Sequence, residues 1–244
     1  MKSMLRSGMV ILSVLAVIGF IVPSGALAVK EIKIGVIYPL TGGAAAAGRE
    51  LRAGVELAAK IANSGMADLQ MTMAQNKGIK NLGGAKIKLI FKDHEGNPTL
   101  GADLAKKLIL DDKVDGILGC YFSSVTKTVS AVCEQHGIPM INGSSTSPAL
   151  TKRGFKWFWR TTPHDKWFTK DLFELLVGLT KGKVQGVKAV PKKDIINLAS
   201  ACEKTEWGSH VSGLIKEFAK EYDFKLKKSL LYARLSGDRM CQGL

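Results

Sequence analysis

The chain has 244 residues, 46% hydrophobic and 23% charged, with a formal net charge of +14 at pH 7. That length, even without an export signal, suffices for one large domain or two small ones. The lysines and arginines are scattered, with no aromatic-interleaved basic stripe, so the charge reads as solvated surface and no nucleic-acid partner is expected.

Residues 1–28 read as a secretory signal. Lys2 and Arg6 form a basic head, Met9 to Val22 is an apolar run of about fourteen residues, and Ala26-Leu27-Ala28 gives a small-x-small cleavage pattern. The run is short of the roughly twenty residues a membrane span needs. The mature chain is predicted to begin at Val29, exported and soluble; no cysteine adjoins the cut, so no lipid anchor is indicated there. Of the four cysteines, Cys120, Cys133, Cys202 and Cys241, no pair has CxxC spacing, which argues against zinc and thioredoxin chemistry. Export permits disulfides, and a Cys120–Cys133 bridge stays open, although buried free thiols are the expectation.

Glu31 to Ile37 alternates as a strand, and a glycine-bearing loop from Tyr38 to Gly48 leads into a helix with Leu51, Val55, Ala58 and Ala62 on one face. Gly43 and Gly48 have phosphate-loop spacing, but Arg49-Glu50 stands where Lys-Ser/Thr is required, so nucleotide binding is rejected. Asn63 to Gly84 reads as a surface excursion and Lys86 to Lys92 as a second strand. Asp93-His94-Glu95 reads as a solvated turn rather than a metal site, because three adjacent residues rarely converge on one ion. Thr99 to Asp111 carries Leu100, Leu104, Leu108 and Ile109 on a helix face.

Val114 to Leu150 organises the rest. Val114 to Leu118 is a strand. Val125, Val129, Val132 and His136 mark one face of a helix, with His136 expected in a structural role there, and Gly137 is placed for its left-handed cap. Ile138 to Ile141 is the next strand, closed by Asn142-Gly143. Each strand is followed by hydroxyl residues: Ser123-Ser124 after the first, Ser144-Ser145-Thr146-Ser147 after the second. In a parallel βαβ unit both clusters lie at carboxyl ends of adjacent strands, where open α/β sheets bind ligands. With a helix N-terminus behind them they form a cradle for a small carboxylate. Ser and Thr are also the commonest helix caps, so a purely structural reading stands beside this one.

Trp157 to Arg160 is a further strand, and Thr161-Thr162-Pro163 breaks the pattern at a domain crossover. A second α/β unit follows: a helix from Trp167 to Leu179, a basic loop from Lys181 to Lys193, a strand from Asp194 to Ala199, a loop from Cys202 to Gly208, a helix capped by Ser209, and a strand from Phe224 to Ala233. G-x-S-x-G is absent and the four histidines are not paired at metal-binding spacing. No catalysis, metal or cofactor is expected.

Four segments, IKIGVIYPLTGGAAAAG, DHEGNPTLGADLAKKLI, GSSTSPALTKRGFKWFWRTTPHD and EKTEWG, spanning about residues 31 to 232, together resemble the periplasmic leucine/isoleucine/valine-binding proteins. Those are the substrate-binding subunits of branched-chain amino-acid ABC transporters. The resemblance implies an α/β fold, a doubly wound parallel sheet in a two-lobe architecture that closes about a hinge. Lobe one would span 29–160, a partial lobe two 161–233, and 234–244 would be an irregular tail. It assigns the ligand carboxylate to Ser123, Ser144 and Thr146, with Ser124 as a neighbour, and the aromatic wall to Trp207. Three departures stand out. Ala47 replaces a larger side chain, the carboxylate that meets the ligand ammonium would lie beyond Leu244, and the chain does not return to complete its lobes, so it reads as C-terminally truncated. The implied function is capture of an amino acid, branched-chain or similar, in the periplasm by a monomer that delivers it to a membrane permease. A sensor for another small carboxylate and a Rossmann-like enzyme are the competing readings.

Overall fold

Short apolar runs alternating with helical periods leave a chain little choice but parallel strands joined by helical crossovers. The computed structural model describes residues 31–233; the predicted export signal and the tail 234–244 lie outside them. The elements are β1 (Glu31–Tyr38), α1 (Ala45–Ser64), β2 (Lys86–Asp93), α2 (Pro98–Leu110), β3 (Gly116–Gly119), α3 (Ser123–His136), β4 (Met140–Asn142), β5 (Phe158–Arg160), α4 (Asp165–Thr180), the single turn α5 (Lys192–Ile195), β6 (Asn197–Glu203), α6 (Glu206–Glu221) and β7 (Lys225–Tyr232).

Strands β1 to β5 form one parallel sheet in the order β2-β1-β3-β4-β5, and β6 and β7 pair in a second parallel sheet. The direction of winding reverses between β1 and β3, which places the ligand crevice of such sheets at the carboxyl ends of these strands. Strand alternation divides the first sheet's two sides. The row Gly35–Ile117–Met140–Phe158 faces α2 and α3, and its apolar members join Leu108, Val125 and Val129 in the main core. The next row, Val36–Leu118–Ile141–Trp159, faces the other side, where α1 packs mainly over β1 and β2. Exposure along it rises from 0% at Val36 to 44% at Ile141 and 50% at Trp159. Beside this row, Ile34, Leu51, Val55, Leu89 and Leu118 line an open apolar trough of about 780 Å³. The second sheet has a separate core in which Phe173 of α4 meets Phe218 of α6 at 6.1 Å and Phe224 at 5.8 Å between ring centroids.

Some local expectations shift. The strand predicted over Asp194 to Ala199 runs instead from Asn197 to Glu203, because Lys192–Ile195 winds into α5 first. The last helix starts at Glu206, capped by Thr205 rather than Ser209: the Thr205 hydroxyl accepts from the Gly208 N–H at 3.1 Å. Trp207 is therefore on the first turn of a helix and not in a loop. His136 is exposed, so its predicted place on the buried face is not realised, whereas Val125, Val129 and Val132 are buried as the period requires. Gly137 caps α3 at φ 67°, as expected.

Gly48, which mimicked a phosphate loop in sequence, has a packing reason. A Cβ there would stand 1.9 Å from the Pro39 carbonyl oxygen, so only glycine lets α1 lie against the β1 loop. Gly54, on the same helix, has open space where its Cβ would go. Gly48→Ala is expected to destabilise the fold by about 3 kcal/mol or more through forced backbone displacement. Gly54→Ala should be neutral or stabilise by up to about 1 kcal/mol through helix propensity. Denaturant unfolding of the two variants beside the parent tests the pair; equal effects would contradict the close approach.

Candidate functional site

The ends of β3 and β4 are joined by one buried amide. Asn142 Nδ2 donates to the carbonyls of Gly119 at 2.7 Å and Cys120 at 2.8 Å, which uses both of its hydrogens. Its Oδ1 accepts from the backbone N–H of Ser145 at 2.8 Å and of Ser144 at 3.3 Å. A directional relay lies beside it. Cys120 N–H donates to Thr126 Oγ1 at 3.2 Å, Thr126 and Ser145 hydroxyls meet at 2.6 Å, and Ser145 reaches the Cys120 and Tyr121 carbonyls at 3.0 and 3.1 Å. Asn142, Thr126 and Ser145 are essentially fully buried, so each bond is made away from competing water.

This relay sorts the hydroxyls. Ser145 is structural. Ser144 donates its hydrogen to the Cys120 carbonyl at 2.9 Å and so offers lone pairs to the outside. The Ser123 hydroxyl accepts from Ser147 N–H at 3.4 Å, and those of Ser124 and Thr146 bond no other described residue. Ser123 does not cap its helix: the N-cap position is Phe122, without a side-chain cap, and Ser123 is the first helical residue. The first-turn N–H groups of α3 are thus uncapped, with the positive end of the helix dipole behind them and no acidic residue in the turn. All four predicted hydroxyl residues, Ser123, Ser124, Ser144 and Thr146, line a single cleft of about 400 Å³.

Across that cleft stand Glu203, Thr205, Trp207 and Tyr232 from the second α/β unit, with Tyr121 and Phe122 beside the hydroxyls. Trp207 is oriented by a residue that sequence reasoning missed. Its Nε1–H donates to Asp165 Oδ1 at 3.0 Å, and the Asp165 N–H in turn donates to the Thr146 carbonyl at 2.9 Å. Asp165 sits buried in the first turn of α4, a favourable place for a carboxylate. It thereby couples the hydroxyl wall to the aromatic wall. The one available signal was an acid directly after the Pro163 chain break, at a helix start. A second link is the ion pair of Lys127 on α3 with Glu206 on α6, at 3.4 Å.

Below the hydroxyl wall lies His94. The turn Asp93-His94-Glu95 is not solvated throughout, as expected from sequence: His94 is 0% exposed and stands edge-on to Phe122 at 5.9 Å. Its Nδ1 accepts from Gly96 N–H at 2.9 Å, and burial pushes the imidazole pKa down to about 4. Asp93 organises the loop after β1. Burial works to raise its pKa, but hydrogen bonds from the Thr41 hydroxyl and the Glu95 and Leu40 N–H groups outweigh it and hold the carboxylate below its usual range. Cys120, Cys133 and Cys202 are free, and burial pushes the Cys120 and Cys133 thiols far above their usual range. Among the described residues no cluster of three or more His, Cys, Asp or Glu could hold a metal ion.

A family profile described as periplasmic binding protein matches residues 31–233. The Leu/Ile/Val-binding protein homolog 3 of Brucella melitensis is 33% identical over 150 residues, covering 62% of this chain and 36% of that protein. Two solved structures share the fold. One is a solute-binding protein of an ABC transporter from Rhodopseudomonas palustris BisB5 in complex with 3,4-dihydroxybenzoic acid, with a TM-score of 0.66, 20% identity, and coverage of 84% of this chain and 48% of that one. The other is the branched-chain amino acid transporter substrate binding protein LivJ from Streptococcus pneumoniae in complex with isoleucine, with a TM-score of 0.64, 21% identity, and coverage of 84% and 50%. The chain spans about half the length of these solved proteins and about a third of the Brucella relative.

Asn142→Ala removes two donors from buried carbonyls and an acceptor from two N–H groups, and is expected to cost about 3 kcal/mol or more in denaturant unfolding. Ser124→Ala, which breaks no bond to another described residue, should change stability by less than about 0.5 kcal/mol. His94 predicts a pH dependence. Its folded pKa lies below the unfolded value, so the unfolded chain binds more protons between pH 6.5 and 4, and stability is lost as pH falls through that window. The loss from this group is up to about 3 kcal/mol. His94→Asn, which keeps an acceptor for Gly96 N–H, should flatten that slope; an unchanged slope in urea titrations across the window would refute the assignment.

Proposed function

The chain belongs to the periplasmic binding protein family, and we propose that it acts, within the whole protein, as an exported solute-binding protein that captures an amino acid, branched-chain or similar, and hands it to the membrane permease of an ABC transporter. The work is done in the periplasm, by a monomer, through binding and lobe closure rather than catalysis. Two α/β lobes, residues 29–160 and 161–233, supply the two walls of the cleft.

One observation carries this reading: uncapped first-turn N–H groups and unengaged hydroxyls converge at two adjacent strand ends, opposite an oriented indole. A carboxylate fits there. It would accept from the Ser123, Ser124 and Thr146 hydroxyls and from the α3 N–H groups, gaining charge-assisted bonds with the helix dipole behind it. Ser144 would assist through its lone pairs. Trp207, with Tyr121 and Phe122, offers apolar surface for the remainder of the ligand. Closure follows from the same geometry, since a ligand bridging both walls stabilises only the arrangement that brings them together.

The names of the relatives support the reading at the level of class. The Brucella protein is named for leucine, isoleucine and valine, and the Streptococcus protein holds isoleucine. A second reading has its own support. The Rhodopseudomonas protein holds an aromatic acid, and an aromatic-lined cleft with a carboxylate cradle also suits such a ligand.

Removing one hydroxyl that bonds a charged group costs about 1.5–3 kcal/mol, or roughly ten- to 150-fold in affinity. Ser123→Ala and Thr146→Ala are each expected to weaken leucine binding within that range by calorimetry. If affinity is unchanged in both, the clusters serve the fold alone and the proposed cradle is wrong.

A further inference from the structure

The lysines are scattered in the sequence, but the fold gathers four of them at one place. Lys216 and Lys220 of α6 and Lys227 and Lys228 of β7 line a depression of about 510 Å³, together with the apolar Ala219 and Leu226. All four are exposed, and none pairs with a carboxylate among the described residues. Each element contributes by a departure from its simplest pattern. On α6, Lys216 and Lys220 stand four apart on one face, a like-charged spacing that weakens a helix slightly. Glu217, on the neighbouring face, turns away to Lys166 of α4 at 3.8 Å. On β7, Leu226 pairs with Leu198 and Lys228 with Ala199, so Lys227 is an extra residue in the ladder. Neighbours in an unbroken strand point to opposite faces; at this bulge Lys227 and Lys228 line the same depression. The carboxylate in the lining, Asp223, is already bonded to Lys192 at 2.9 Å.

We propose that this depression is a docking surface for an anionic phospholipid bilayer and holds the protein reversibly beside the membrane. A lysine is a compact, strongly hydrated charge on a flexible stem, which suits a field of lipid phosphates. Bidentate grip on a single anion is the work of arginine, and the described lining contains none. The lysine stems can lie along the apolar lining while their heads reach the phosphates. The position suits a flat partner, because β6-α6-β7 repeats the arrangement β1-α1-β2, in which β2 is the outer strand of its sheet. Lysines and a bulge also guard an edge strand against pairing with another chain. That role accounts for Lys227 and Lys228 but not for Lys216 and Lys220, which belong to a helix. The surface is separate from the ligand cleft, so the inference does not depend on what the cleft holds.

Sedimentation with vesicles, using protein purified after export, tests the proposal. The parent should bind phosphatidylglycerol vesicles but not phosphatidylcholine vesicles at about 0.1 M salt, and should lose that binding at about 1 M, where the screening length falls from about 10 Å to about 3 Å. One lysine near an anionic surface contributes about fivefold in affinity. The combined variant Lys216→Gln, Lys220→Gln, Lys227→Gln and Lys228→Gln should therefore bind at least about tenfold more weakly. A second variant, Lys60→Gln, Lys77→Gln, Lys107→Gln and Lys156→Gln, removes the same charge from exposed lysines elsewhere. It should weaken binding by less than about threefold, since attraction to the surface fades within a screening length. Circular dichroism should be the same for all three proteins, because the replaced side chains are exposed. Equal losses in the two variants would assign binding to net charge and overturn the proposal. So would a parent that ignores anionic vesicles or binds neutral ones equally well. Binding to poly-glutamate without binding to vesicles would give the surface to an acidic protein segment and overturn it too.

Discussion

The site depends on the buried side-chain amide of Asn142. Two strand ends that carry hydroxyls into one cleft also expose backbone carbonyls and N–H groups that leave the sheet ladder there. Asn142 ties them together, donating to the carbonyls that end β3 and accepting from the N–H groups that follow β4. Buried bonds of this kind are costly to leave half made. Only two arrangements are therefore economical, all bonds formed or the loops unfolded. That all-or-none character holds the hydroxyl wall rigid.

From this anchor the architecture reaches the other wall in two steps. The Thr146 carbonyl takes the Asp165 N–H, and the Asp165 carboxylate takes the Trp207 indole N–H. The hydroxyl cluster, the start of α4 and the start of α6 are thereby coupled through short, mostly buried contacts. The exposed Lys127–Glu206 pair adds little energy, since both groups remain hydrated, but it favours approach of α3 and α6. A cleft so built sets the hydroxyl-bearing strand ends against an indole held in a fixed orientation.

The other side of the first sheet is a different environment. Ile141 and Trp159 stand half exposed beside the trough lined by Ile34, Leu51 and Leu118. It is larger than the cleft but offers few converging polar groups, so volume alone would point away from the chemistry. The site is positioned from the opposite face of that sheet. There the row Ile117, Met140 and Phe158 packs on α2 and α3, and α3 brings the serines to the strand ends.

Sequence alone determined the order of the main strands and helices and the placing of Ser123, Ser124, Ser144 and Thr146 at neighbouring strand ends. These follow from periodicities of two and 3.6 and from the topology of βαβ units, which are local properties of the chain. The resemblance in four segments added Trp207. Tertiary structure alone decided which hydroxyl does what. Ser144 and Ser145, which follow β4, turn inward to the Cys120 carbonyl at the end of β3, and Ser123 begins a helix without capping it. It also decided that His94 is buried under Phe122, that Asp165 orients Trp207, and that Glu203 shares a cleft with Ser124, which precedes it by many residues. Such pairings are set by packing between distant segments, and no local pattern in a single sequence encodes them.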